Sequence, residues 1–131
     1  MSKSIGQVLF RKAVHDYNSA SHLAVIDPEE VGDQVVGYLL QQSVEKSCKA
    51  LLLYSGSKYE RTHDLGTLLR AVARKHDVPI EFVVLEGLTS FSAAERYESP
   101  PSRERLDRRR LVDDVRHFLE WVSGLYPGLC R

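Results

Sequence analysis

Two cysteines, Cys48 and Cys130, are all the chain carries in 131 residues, and they stand far apart without a CxxC pair or Cys/His spacing. That argues against a structural zinc site. Charge of one sign is also missing. Eighteen Lys and Arg offset eighteen Asp and Glu, so net charge draws the molecule neither to nucleic acid nor to an anionic membrane, and any site for a polyanion has to be local. No apolar run approaches the ~20 residues needed to cross a bilayer. MSKSIGQVLF lacks the long apolar stretch of a signal peptide, so a reducing cytoplasm is the expected compartment. Strand alternation is nearly absent, and there is neither an internal repeat nor a low-complexity segment.

What is present is ordinary for a globular fold: 43% hydrophobic and 27% charged residues, too apolar for intrinsic disorder. The length suits one domain over residues 1–131. The helical period runs throughout. A first amphipathic helix is expected over about Ile5 to Leu23, on Val8, Leu9, Ala13, Val14, Tyr17 and Ala20. Asp27 before Pro28 predicts the start of a second, reaching Tyr54, because the Asp oxygen caps free amides and Pro has no amide to leave unpaired. Val36, Leu39, Leu40, Val44, Ser47, Cys48 and Leu51 form one stripe along it, which makes it the central helix. Glu45 and Lys49 suit a helix ion pair, and Gly56 within SGS supplies a left-handed stop.

Thr62 or Asp64 caps a third helix with Leu65, Leu68, Leu69 and Val72 on its inner face; Val78-Pro79 ends it. Glu81 to Tyr97 reads as a fourth helix, since FVVL finds no partner strand and Phe82, Leu85, Leu88 and Ala93 lie at near-helical intervals. ESPPS is a loop. The last helix spans about Ser102 to Leu125, on Leu111, Val112, Val115, Phe118, Leu119, Val122 and Leu125. The expected fold is all-α, an up-and-down four- to five-helix bundle.

The last helix carries the chemistry. In RRRLVDDVRHFLEW, Arg110 and His117 point within about 20° of each other and stand ~10 Å apart along the axis. Asp114 and Trp121 share that stripe, opposite Val115 and Val122. A Trp on the side away from the core suggests a partner, which makes Asp114 and Trp121 candidate dimer-interface residues. The alternative is that Asp114 pairs with Arg110 and His117 on a wet surface while Trp121 lies over a neighbouring loop. SRERLDRRR, with five Arg against one Glu and one Asp, is by default a solvated helix start; as a functional patch, Arg103 to Arg109 would guide a phosphate backbone.

QQSVEKSCKALLLYSG followed by THDLGTLL, Gln41 to Leu69, resembles the HEPN (higher eukaryotes and prokaryotes nucleotide-binding) family, in particular its small stand-alone prokaryotic members, and AAERYES resembles that subgroup's alanine-arginine-tyrosine element. The resemblance implies a helical bundle, often dimeric and frequently encoded beside a minimal nucleotidyltransferase, in pairs that can act as toxin and antitoxin. It also implies a metal-independent ribonuclease in which an Arg, four to six residues and a His line a cleft between two chains. Arg110 and His117 have six residues between them. Where many family nucleases hold a polar residue after the Arg and a Tyr two after the His, this chain has Leu111 and Leu119.

In such a nuclease His117 would exchange a proton with the 2'-hydroxyl or the leaving oxygen, and Arg110 would hold the scissile phosphate. A competing binding site is Arg61, His63 and Asp64 with Tyr97, at a helix start suited to an anion, unless Asp64 itself takes those amides and His63 bonds Glu45 or Glu95 to pin the loop. His15, His22 and His76 read as surface residues. The expected activity is therefore a binding subunit that pairs with a nucleotidyltransferase and offers a surface for nucleotide or RNA. The alternatives are a ribonuclease toxin using Arg110 and His117, or a dimerisation unit alone. None needs a metal, a cofactor or a membrane.

Overall fold

The computed structural model describes residues 2–92 and 106–131. Within them the chain forms four α-helices, α1 (Ser2–Ala24), α2 (Asp33–Tyr54), α3 (Leu65–Ala73) and α4 (Arg108–Leu125), with 3₁₀ segments at Ile80–Phe91 and Pro127–Cys130 and no strand. The all-α expectation holds. α2 touches every other element, because its stripe of Val36, Leu40, Val44, Cys48 and Leu51 is wholly enclosed. Around that stripe close Leu65, Leu68 and Val72 from α3 and Val115, Phe118 and Val122 from α4. Each large apolar side chain taken fully from water contributes about 1.5–3 kcal/mol.

α1 runs antiparallel to α2: Gly6 near its start lies against Ala50 and Tyr54, while further on the Ser43 hydroxyl donates to the Ala13 carbonyl (2.7 Å) and Lys46 pairs with Asp16 (2.6 Å). The start of α4 is tied to the α1–α2 turn, and Gln7 near the start of α1 donates to the Gly128 carbonyl just beyond the other end (2.8 Å). α4 therefore lies antiparallel to α1, which puts its outer face beside the 3₁₀ segment.

Two boundaries differ from the sequence expectation. Asp27 does not open α2. Its Oδ1 accepts from the Glu29 amide (2.8 Å) and its carbonyl from Glu30 and Val31, closing a separate turn; Gly32 then goes extended before the helix starts at Asp33. The fourth helix is 3₁₀ rather than α. Phe82, Leu85 and Leu88 are buried at a strict spacing of three, while Ile80, Val83 and Val84 face solvent, which matches 3.0 residues per turn and not 3.6. The end of the expected fourth helix, the whole ESPPS loop and the Ser102 start of the last helix lie outside the described residues. Asp107 caps α4, accepting from the Arg110 amide (3.2 Å).

The Gly56 stop is as expected, at φ 84°. Gly37 has a different reason to be glycine: a Cβ there would sit 2.6 Å from Cγ and 2.7 Å from Cε1 of Phe91. Gly37→Ala should destabilise by about 1–3 kcal/mol, because the Phe91 ring that closes the end of the 3₁₀ segment must move. Urea unfolding checks this, with Gly124→Ala, which meets open space, as the control.

Candidate functional site

Between α4 and the 3₁₀ segment lies a cavity of ≈ 610 Å³, open to solvent, with Glu81 and Phe82 on one side and Asp114, His117, Glu120 and Trp121 on the other. The helix period delivers the α4 side chains to it: 114, 117 and 121 follow the three- and four-residue spacing of one face. Of the two readings of Trp121, a ring exposed to a partner or one lying over a neighbouring segment, the structure favours the second. The indole is half-buried, with ring centroids 5.8 Å from both Phe82 and Phe118. A helical wheel built on one core could not foresee the 3₁₀ segment laying Phe82 across α4's second side.

Asp114 likewise does not pair with Arg110 or His117. Among the described residues its Oδ2 is enclosed with no hydrogen-bond partner, and it enters no ion pair. Arg110 and His117 are both exposed. His117 forms part of the cavity wall, whereas Arg110 lies outside it. Arg109 is also exposed and lines a separate hollow of ≈ 360 Å³ with Ala24, Val25, Val112 and Asp113. Neither Arg109 nor Arg110 is in an ion pair among the described residues. Tyr97 and Arg103 lie outside them.

Arg108, within the same run, is not part of a solvated patch. It is 8% exposed; its Nε donates to Asp33 Oδ1 (2.7 Å), Nη1 to the Ile26 carbonyl (3.1 Å) and Nη2 to the Val31 carbonyl. Asp107 beside it caps the helix and so puts Arg108 on the first turn, but no local signal says that this turn meets the α1–α2 junction.

The competing site at Arg61 to Asp64 is taken up by structure. His63 Nδ1 donates to Glu45 Oε1 (2.8 Å), and Glu45 also accepts from Gln41 (2.9 Å) and Lys49 (3.1 Å). Glu45 is itself 6% exposed, so its pairing with Lys49 is an enclosed one. Burial pushes the Glu45 carboxyl up, but hydrogen bonds from Gln41, His63 and Lys49 together outweigh it and leave it below the ordinary range. Asp64 caps α3, accepting from the Thr67 amide (3.3 Å) and hydroxyl (2.6 Å); that hydroxyl bond above all holds its carboxyl low. With the Leu65 amide given to Thr89 Oγ1 (3.0 Å), the helix start has little left for an anion. Arg61 stays exposed.

His76 was expected at the surface and is instead half-buried. Nδ1 donates to the Val72 carbonyl (3.2 Å), so Nε2 accepts from the Tyr126 hydroxyl (2.9 Å). Cys48 is enclosed, and burial, then the charge of Glu45, push its thiol well above the ordinary range, which makes it unreactive; Cys130 is exposed. No group of three or more His, Cys, Asp or Glu among the described residues can hold a metal ion, and no helix among them is long and apolar enough to cross a membrane.

The described residues form an all-helical bundle whose last helix carries exposed polar side chains on its outer face. A family model of the HEPN domain matches residues 7–125, and the chain belongs to that family. No curated protein and no solved structure matches it significantly. Membership supports a nucleotide- or RNA-related role.

Proposed function

We propose that this HEPN protein is the binding subunit of a two-component, toxin–antitoxin-like system, pairing with a minimal nucleotidyltransferase and contacting nucleotide or RNA through the first turn of α4. The observation that carries the reading is the chemical division of that helix. Arg109 and Arg110 offer exposed guanidinium groups with no ion-pair partner among the described residues, while His117, two turns on, shares its cavity with Glu81, Asp114 and Glu120. A phosphate is welcomed at the first place and repelled at the second.

Binding of a labelled single-stranded RNA, followed by anisotropy across a salt series, tests this. Arg109→Ala/Arg110→Ala should weaken binding alike for all sequences and flatten the salt slope by about 1.4, for two lost phosphate contacts. An unchanged slope would remove α4's first turn from the interface. Co-purification with a minimal nucleotidyltransferase tests the pairing.

The ribonuclease reading keeps one supporting observation: Arg110 and His117 both face solvent along an uninterrupted α4, as a cleft between two chains requires. In that homodimer Asp114 and Trp121 would stand at the contact.

A further inference from the structure

We propose that the seam between α1 and α4 is the docking groove for a helix of a partner protein, one with an apolar stripe along its length and carboxylates near its two ends. This goes beyond the reading above: it requires neither RNA nor that the partner be a nucleotidyltransferase.

Three open hollows follow that seam in order. The first, ≈ 290 Å³, lies where Leu129 and Arg131 meet Phe10 and Arg11. It shares Phe10, Val14 and Cys130 with the second, ≈ 250 Å³, which runs between Tyr17 on α1 and Leu119 on α4. One turn further along both helices the third, ≈ 360 Å³, reaches Ala24 and Val25 on one side and Arg109 and Val112 on the other. Phe10, Val14, Tyr17, Ser21 and Ala24 follow the three- and four-residue spacing of one helix face, so α1 turns a single stripe to the groove. From Phe10 to Ala24 that stripe is about 21 Å long, close to four helical turns.

The floor is apolar. Phe10 and Leu119 are nearly enclosed, Val14, Tyr17 and Val112 are half-buried against the core, and Val25 at the far end is 86% exposed. An apolar trough between two rods takes a third rod, whose side chains fill the hollows as ridges fill a groove. An extended segment does not suit it. The amides and carbonyls of α1 and α4 are spent inside their own helices and leave an extended main chain nothing to pair with, whereas a helix brings its own bonds.

Charge sets the sign of the partner and where that charge sits. Asp113 and Glu120 both stand beside Arg116 (3.4 and 4.0 Å), so the middle of the groove has no free cation. The ends do. Arg11 and Arg131 at one end and Arg109 at the other are exposed, with no ion pair among the described residues, and His15 stands beside the first two. A helix with Glu or Asp in its first and last turns meets both ends. A nucleic acid carries a phosphate at every step and would lay most of them against an apolar floor.

The probe is a fluorescein-labelled synthetic helix of about 16 residues, with Leu along one stripe and Glu in the terminal turns, titrated with the full chain and followed by anisotropy. Two control peptides carry Lys for every Glu, or the same composition with the stripe scrambled. Saturable binding of the acidic helix is expected in the micromolar range, with each control weaker by roughly tenfold. Arg11→Glu/Arg131→Glu, at exposed positions where folding is not at stake, should weaken the acidic helix by about tenfold and tighten the Lys version, a reversal that ties the peptide to this groove. Val25→Glu should weaken the acidic helix by about threefold. Labelled single-stranded RNA should bind Arg11→Glu/Arg131→Glu within about twofold of wild type. If RNA binds neither protein, the reading of Arg109 and Arg110 fails while the groove stands on the peptide. No saturable binding of the acidic helix, equal binding of the Lys version, indifference to the charge reversal, or an RNA affinity that falls as far as the peptide's would overturn the groove.

Discussion

Arg108→Ala should lower the free energy of unfolding by about 3–5 kcal/mol, the range for breaking a buried ion pair from one side. The side chain does three jobs at once. It neutralises Asp33 on the first turn of α2 (2.7 Å), and it satisfies the carbonyls of Ile26 and Val31 in the turn that joins α1 to α2. Asp33 also accepts from the Leu106 amide (2.9 Å), so the pair fixes where α4 begins. Removing the guanidinium leaves two carbonyls without their donor and takes from Asp33 the charge that pairs with it, at the junction of three helices. Asp33 is 25% exposed, so water can replace part of what is lost and the lower half of the range is expected. Arg108→Lys should recover only part of it, since an ammonium cannot span three acceptors set in a fork. Urea denaturation with unchanged m-value checks the figure; a loss under about 1 kcal/mol would mean the pair is no more than a surface contact.

Glu45→Ala should cost about 2–4 kcal/mol, because it leaves the Lys49 ammonium, the Gln41 amide and the His63 ring donor without their shared acceptor. It should also release the loop before α3, which His63 pins to α2. The pH dependence has a definite sign. The folded carboxyl sits below its ordinary value of 4.5, so its stabilisation is complete above that value and is lost as the pH falls through the lower folded one. The stability difference between wild type and Glu45→Gln should therefore be flat above about pH 5 and shrink below 4.5. A difference that grew on acidification would contradict the hydrogen-bonded, ionised Glu45 described here.

Much of this fold is legible in residue spacing. The α2 stripe, the Gly56 stop, the Asp64 cap and the inner face of α4 each follow from local rules that need no knowledge of neighbours. For His63 the sequence offers a bond to Glu45 or Glu95 beside an anion site, and only the fold selects Glu45. The misreadings share a physical cause. A helical wheel describes one element against one core, and it cannot say which second element covers the other side. For Trp121 the sequence leaves open a solvent-facing partner surface or a ring lying over a neighbouring segment, because nothing local announces that Phe82 packs against the indole. Arg108 looked like its neighbours Arg109 and Arg110 because its partners are 75 and more residues away. The 3₁₀ segment was misread for a subtler reason: a spacing of three satisfies the inner face of either helix type over a few turns, and only its strict repetition through Phe82, Leu85 and Leu88 separates them.

Function rests here on the Arg109 and Arg110 guanidinium groups of α4's first turn, which have no ion pair among the described residues, and on a carboxylate-walled cavity at His117. The two roles require opposite surroundings for the same imidazole. A ribonuclease needs His117 beside a bound phosphate; a binding subunit does not use it on the backbone at all. The most direct measurement incubates the purified protein with RNA and follows binding and strand scission in the same samples, for wild type, Arg110→Ala and His117→Ala. The account predicts salt-sensitive binding that Arg110→Ala weakens and His117→Ala leaves within about twofold, with intact RNA throughout. Scission by the wild type that is lost in both variants would contradict it and make Arg110 and His117 a catalytic pair.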